Sequence, residues 1–435
     1  MKPSEPDRLF LWPEPAAWPE LAAQNRKRLQ RPDGPWRLAT SHQPVLFHAG
    51  IWVREFVLEQ VATSWGWESV YFEADSDECE VSADVPRSDP LRVERVSLAR
   101  GILEHLPAPD RAAWNEFCQR LRSGLPGGLD LRCDWQEQAN LARFLACLRW
   151  RAGGLQVLER GWQSRWLQSP LAARLVEPIL ADPEGFRACF NRALTQERAE
   201  RRLRSRAHPF PDLRVIQGRV ELPLWVERRP LFYELATDRL WTDRPLVAAG
   251  QWRELPLRPR AMLWTAFCRL SCDLYLHGTG GASYDRATDH VLKSFYRLEP
   301  PGYAVAWLNY RLALPADEEA PARLVRATQE LRSLRHNPQR SLPAHPLAAE
   351  KLHLVTALQS APRGKRAELT RAIQQTNRQL EAQLAPLRLR LEAERAAARL
   401  ACDELAAARY RGYSWLLVDP EKLRAISSLS RPCRS

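Results

Sequence analysis

The run Trp36-Arg37-Leu38-Ala39-Thr40 has the short pattern of a strand and leads into a turn, Ser41-His42-Gln43-Pro44. Apolar residues then recur at helical spacing over 51–64, and a second strand follows over 69–73, ending on acidic residues. Strand, tight loop, helix and strand in such short compass predict a βαβ unit, and with it a parallel sheet and a right-handed crossover. Residues 92–98 alternate and predict a further strand. From about 110 to 206 the apolar period changes to three and four, the spacing of helices, most clearly over 135–150 and 183–204. Strand-like pieces return over 213–226 and 231–233. A helix over 260–271 precedes a short apolar strand over 273–277, a glycine turn over 278–281 and another helix over 284–296.

After a strand over 303–314 the chain shifts to helix formers. Three helical stretches are predicted, 321–335, 346–359 and 365–411, broken at Asn337-Pro338 and Ala361-Pro362-Arg363-Gly364. The last would be about 70 Å long at ~1.5 Å per residue, too long for a compact domain. Its apolar positions Leu369, Ile373, Leu380, Leu384, Leu387 and Leu391 come close to a heptad seam, which Pro386 must kink. An antiparallel helical coiled-coil arm is expected, and such an arm commonly meets a partner. Residues 415–418 read as a strand-like tail returning to the body. The division expected is an irregular N-terminal arm over 1–35, a parallel-sheet core over 36–316 with a helical insertion at about 110–206, a helical arm over 317–411 and a tail over 412–435.

Composition narrows the class. In 435 residues, 45% are hydrophobic and 27% charged, the balance of an ordinary globular chain. No stretch approaches the ~20 uncharged apolar residues of a membrane span. The start, Met1 to Arg8, shows no basic segment followed by an apolar run, so no signal peptide is visible and a cytoplasmic location is expected. The formal charge of +12 does not by itself point to nucleic acid. Of the 64 basic residues only six are Lys, and the Arg residues are scattered among Glu and Asp, as a codon bias would produce. The one dense run, Arg198, Arg201, Arg202, Arg204 and Arg206, reads as a solvated helix face or as a phosphate-facing patch. Nine widely spread Cys, with no CxxC pair, form neither a disulfide framework nor a zinc site; buried thiols are expected.

Two loops, each after a strand and before a helix, carry the candidate chemistry. The first, Ser41 to Gly50, places His42, Gln43, His48 and Gly50 where a parallel sheet binds ligands, beyond the strand ends and at a helix N-terminus. Two of the chain's nine His stand in it. They could donate to phosphoryl oxygens, or simply cap and pack the helix. The second, His277-Gly278-Thr279-Gly280-Gly281 through Tyr284 and Asp285, has three glycines that permit positive φ and close backbone approach, the makings of an anion or nucleotide cradle. It is neither a P-loop nor the GxGxxG signature. A structural turn is the alternative, but a turn alone would need one glycine. Acidic residues 73–78, with Asp75 and Asp77 at the centre, follow a strand end and would suit Mg²⁺, a ribose or an amine, or form a solvated loop. No metal ligand set is discernible.

The HQPVLFHAG loop and its helix resemble the TGQQ-x-GLF-x-GP segment of the bacillithiol-biosynthesis cysteine-adding enzymes. Residues 71–78 stand where that family has an aromatic strand ending in Glu-Asp-His-Asp, and 277–285 resemble its Gly-Gly-Pro-Gly-Glu turn. The HQP-x-x-F-H-x-G and HG-x-GG-x-x-YD pairing is similar to an uncharacterised bacterial group allied to that family. The resemblance runs from about residue 36 onward in the order of elements. It implies an α/β, Rossmann-like core related to nucleotidylyltransferases and class I synthetases, and homodimerisation through the arm over 317–411. The family's proposed reaction joins cysteine to an amino-sugar conjugate.

Residues and resemblance together lead to a ligase or transferase that binds a nucleotide, with Mg²⁺, or another phosphorylated small molecule. In this scheme His42 and His48 stabilise charge on a transferring or leaving group, and Asp285 or Asp75 orients an amine or metal. Gln43, Gly50, Asp77, His277, Gly278, Thr279, Gly280, Gly281 and Tyr284 hold the substrate or nucleotide. The alternatives are a non-catalytic scaffold or nucleic-acid-binding protein working through the arm and the Arg-rich surface, and a chain that keeps the fold without the chemistry.

Overall fold

In the structure, a computed structural model that describes residues 7–155, 158–205 and 210–429, the strands Arg37–His42 and Glu68–Glu73 pair in parallel around the helix Ala49–Trp65. That helix starts at His48 and stops at Gly66, whose left-handed φ of 72° ends it where a residue with a Cβ would be strained. The predicted βαβ unit is therefore present. Its sheet has six strands in the order Leu9–Trp12, Tyr303–Leu308, Leu274–Gly278, Arg37–His42, Glu68–Glu73 and Glu159–Trp162. Only Leu9–Trp12 runs antiparallel.

Alternation along the strands feeds two apolar layers, because successive side chains point to opposite faces. Leu38, Leu274, Leu276, Ala304 and Ala306 pack with Val53 and Val57 of the first helix. Ala39, Val70, Phe72 and Tyr275 pack on the other face with the helices Ala261–Leu270 and Thr279–Ser294. A parallel sheet covered on both faces is the mixed α/β architecture expected. The chain moves one way from Arg37–His42 to Glu68–Glu73 and the opposite way from Leu274–Gly278 to Tyr303–Leu308. The crevice between the two starting strands is thus a topological switch point.

Several elements differ from expectation. The N-terminal arm expected over 1–35 is not irregular in its described part, 7–35: Leu9–Trp12 forms the antiparallel edge strand and Trp18–Arg28 a helix. The stretch 110–206 is not all helix, since Glu159–Trp162 joins the sheet beside Glu68–Glu73. Residues 78–102 form a long antiparallel hairpin, Glu78–Arg87 with Arg92–Ile102. A separate antiparallel sheet, ordered Pro245–Ala248, Arg239–Trp241, Arg229–Glu234, Arg219–Val226 and Leu257–Pro259, contains three short strands that the sequence pattern does not reveal. The glycines at 278–281 are not a separate turn: Gly278 caps the helix Thr279–Ser294, and Gly280 and Gly281 lie in its first turn. The tail is a short turn, Trp415–Leu417, and a helix, Pro420–Ile426, and Trp415 lies 5.2 Å from Trp52 of the core.

The stretch 365–411 is two helices, Arg363–Gln383 and Ala385–Ala408, parted at Leu384 just before Pro386, where the kink is predicted. Buried positions on Ala385–Ala408 recur every seventh residue, Leu391, Ala398 and Leu405, and on Ala320–His336 they are Ala320, Ala327 and Leu334. Arg409 pairs with Glu318 at one end, and Leu334 packs with Leu384 and Leu391 at the other, so the two helices run antiparallel.

Two residues of the Arg run near 200 are engaged: Arg198 is buried on Asp212, at 2.6 Å, and Arg201 pairs with Glu197, also at 2.6 Å, while Arg202 and Arg204 are exposed. Arg206 and Cys433 lie outside the described residues. The eight described cysteines are all free. No helix among the described residues is long and apolar enough to cross a membrane.

Candidate functional site

Both candidate loops open into one cleft of about 890 Å³ at the switch point. Its lining includes His42, Gln43, His48, Gly50, Asp77 and the whole of 277–281. Arg409, Tyr410, Arg411 and Gly412, which follow the helix Ala385–Ala408, also line it. Asp75, Tyr284 and Asp285 are not in the lining.

Each histidine is held by a different device. His48 caps the first helix, its Nδ1 accepting from the Gly50 amide at 3.1 Å, which leaves the proton on Nε2. Gly50 is required for space, not for ligand access: a Cβ there would stand 2.9 Å from the His48 ring and 3.1 Å from the Leu308 carbonyl oxygen. His42 donates from Nδ1 to the Gln43 carbonyl at 3.0 Å and stacks edge-on against Phe47, so its free Nε2 carries a lone pair, not a proton. Burial, reinforced by Arg54, pushes the His42 pKa down to about 3. His42 therefore stays neutral, and with its one N–H given to Gln43 it has none left for the expected donation to a phosphoryl oxygen. Burial and the Arg54 charge lower His48 as well.

His277 is the last residue but one of the strand Leu274–Gly278 and donates from Nε2 to Asp285 Oδ2 at 2.8 Å. Asp285 is fully buried and also takes Arg269 Nη1 at 2.5 Å. Burial alone would raise the Asp285 carboxyl; Arg269 and His277 outweigh it and hold the group ionised. Asp285 is thus a positioning residue behind the cleft wall, not a group that meets a ligand. Gly281 lies against the ring, where a Cβ would stand 2.9 Å from Nδ1. None of Gly278, Gly280 and Gly281 has positive φ, so the predicted left-handed turn is not their purpose. Gly278 offers no capping side chain to the helix start, and beside Gly280 nothing lies within 4 Å of a Cβ position. The first-turn amides are left for an anion.

The acidic segment is dispersed rather than clustered. Glu73 is buried on Arg149 and Arg160. Asp75 faces away, accepting from the Ser164 amide at 2.8 Å and hydroxyl at 2.7 Å. Asp77 alone reaches the cleft, where it takes Gln43 Nε2 at 2.9 Å, and burial pushes its carboxyl up. Tyr284 packs under Arg201, 4.7 Å from ring centroid to guanidinium.

The sequence reading missed Arg54. It lies on the first helix, 4% exposed, and lines the cleft. Its Nη1 donates to Thr40 Oγ1 at 2.9 Å and to the Ser41 carbonyl at 3.3 Å, and Thr40 in turn donates to the Leu276 carbonyl at 2.6 Å. All its partners are uncharged, and among the described residues it forms no ion pair. The guanidinium carbon stands 4.0 Å from the Cβ position of Gly278, and its charge depresses His42, His48 and His277 alike. A buried cation without a carboxylate, set against an uncapped helix start, has the chemistry to receive an anion. No family model matches the chain, and no curated protein gives a significant match.

Proposed function

We propose that this protein is a ligase or transferase that binds the phosphate of a nucleotide or phosphorylated small molecule between Arg54 and the glycine-rich helix start. The single observation that carries the reading is the buried Arg54, without a carboxylate partner among the described residues and with its guanidinium carbon 4.0 Å from the Cβ position of Gly278 at the helix start. Arg54 and those amides neutralise the phosphate, and His48 donates from Nε2. When an amine attacks the group that the phosphate activates, the bond to the phosphate breaks, the phosphate leaves onto Arg54 and those amides, and His277, oriented by Asp285, takes the proton that the amine loses. Asp77, hydrogen-bonded to Gln43 on the opposite wall, orients that amine. A nucleotide with Mg²⁺ suits the size of the cleft, the ion being carried by the phosphates.

The resemblance to the cysteine-adding enzymes supports the same reading. On it the parallel sheet is a Rossmann-like core, and the heptad-spaced helix pair is the base of a coiled-coil arm through which two copies pair in the cytoplasm. Thermal unfolding against phosphate, pyrophosphate, AMP and ATP, with and without Mg²⁺, tests the phosphate site. A ligand at a hundred times its Kd adds ~2.7 kcal/mol, a plain rise in midpoint. The rise should vanish in Arg54→Gln and persist in part in Arg54→Lys. No rise with any of these anions overturns the reading. A nucleic-acid affinity indifferent to Arg54→Gln and falling steeply between about 50 and 200 mM salt would replace it.

A further inference from the structure

Beside Gln43, Asp77 and Ala261 the main cleft adjoins a second cavity of about 320 Å³, reached past the Gln43–Asp77 hydrogen bond. Its character is different. Phe190 and Met262, both buried, give it an apolar wall, and Trp225 adds an aromatic face on which the Arg260 guanidinium stacks at 5.0 Å. Three guanidinium groups, Arg228, Arg258 and Arg260, line it beside two carboxylates, Asp77 and Glu78, of which Glu78 pairs with Arg228. Arg258 hydrogen-bonds the Ser76 carbonyl, and the carboxylates of Asp77, Glu78 and Glu104 stand near it without a hydrogen bond to it. Arg260 has only Glu221, and Glu221 also binds Arg214 Nε at 2.8 Å, so one carboxylate serves two guanidinium groups. Arg258 Nε, Arg260 Nε and Arg260 Nη1 are buried with no hydrogen-bond partner in the described structure.

Buried N–H groups of a charged side chain are ordinarily satisfied; these three are closed off from the cavity, and it is the parts of Arg258 and Arg260 that line it which offer an oxygen-bearing guest its donors. The volume lies at the small end of ligand sites, enough for one ring and a short acidic arm. Stacked Trp225 and Arg260 receive a flat ring on a π face, and the guanidinium groups receive a planar carboxylate. We infer that this cavity is a binding site for a small aromatic carboxylate, its ring against Trp225, Phe190 and Met262 and its acid group on Arg258 and Arg260. Its role as the second-substrate compartment rests on the reading of the main cleft proposed above; the binding itself does not.

Calorimetric titration of the full chain with phenylacetate and with its uncharged isostere 2-phenylethanol tests the inference. Phenylacetate should bind at least ten times more tightly than the alcohol. Arg258→Gln should erase that difference. Met262→Trp, which fills the cavity, should abolish binding of both while the far-UV circular dichroism stays native. Phosphate-induced thermal shifts, which read the Arg54 site, should be unchanged in both variants. Equal affinity for acid and alcohol overturns the site, as does phenylacetate binding that survives Met262→Trp. Phenylacetate binding that is lost in Arg54→Gln and intact in Arg258→Gln places the acid in the main cleft and also overturns it. Failure of phosphate to bind, with the phenylacetate pattern as stated, would instead sink only the reading of the main cleft.

Discussion

His277 Nε2 and Asp285 Oδ2 stand 2.8 Å apart, and the same carboxylate oxygen takes Arg269 Nη1 at 2.5 Å. The pairing fixes the tautomer: with Nε2 protonated toward Asp285, the His277 lone pair is on Nδ1 beside Gly281. Burial lowers the His277 pKa although Asp285 opposes it, so the ring is neutral near pH 7 and able to accept a proton. Both residues are buried, and Arg269 is the charge that keeps Asp285 ionised.

Removing that carboxylate charge strands Arg269. Asp285→Asn should destabilise the chain by about 3 kcal/mol, the scale for breaking one partner of a buried ion pair. Asp289, which also touches Arg269 at 2.6 Å, moderates the loss. Urea unfolding of the two proteins measures it; a difference below about 1 kcal/mol would mean that Arg269 is already balanced by Asp289.

The two glycines of the helix start should behave oppositely. A methyl at Gly281 collides with His277 Nδ1, whereas one at Gly280 meets nothing within 4 Å. Gly281→Ala should turn the His277 ring and weaken phosphate binding. Gly280→Ala should gain up to ~1 kcal/mol of stability from helix propensity alone. If Gly280→Ala lowers the ligand-induced rise in midpoint while raising intrinsic stability, the ligand lies on the amide at that position.

The two loops were legible because strand, polar turn and helix follow one another closely, and a parallel sheet leaves only one end for such turns. Arg54 was not. Its neighbour Glu55 looks like its partner, yet adjacent helix residues point about 100° apart, and Glu55 reaches Arg149 instead. Sequence supplies a cation but not the missing carboxylate. Asp75 and Asp77 read as one acidic cluster for the same reason; only the fold assigns one to Ser164 and the other to Gln43. Glu159–Trp162 escaped because four residues with an Arg and a Gly carry no alternation, and pairing with Glu68–Glu73 alone makes them a strand.

Stability should fall in mild acid. His42, His48 and His277 all have folded pKa values below the ordinary ~6.5 of the unfolded chain. Below that value the unfolded state binds more protons than the folded one, so stability is lost as pH drops from about 6.5 toward the folded pKa. Each such histidine adds up to ~1.4 kcal/mol per pH unit of slope. Asp77, with its carboxyl pushed up by burial, contributes the opposite sign at lower pH. Measured between about pH 6 and 5, the slope of unfolding free energy should be smaller in His42→Asn than in the parent by about one histidine's share. An unchanged slope would show that the His42 ring is protonated in the fold.

The helix pair carries the last prediction, since its buried and exposed leucines separate two roles. Leu391 is buried in the seven-residue seam against Ala320–His336, while Leu389 and Leu400 are 61% and 49% exposed. Eleven residues is close to three helical turns, so Leu389 and Leu400 share one outer face. Leu391→Ala should cost about 2 to 5 kcal/mol of stability, as for other buried leucines. Leu389→Glu with Leu400→Glu should leave folding intact, because neither side chain is in the seam. If two copies pair through this arm, that double variant should sediment as a monomer where the parent sediments as a dimer. A parent that sediments as a monomer, or a double variant that stays dimeric, would remove the outer face of Ala385–Ala408 from any role in pairing and leave the seam as an internal brace that holds Arg411 over the cleft.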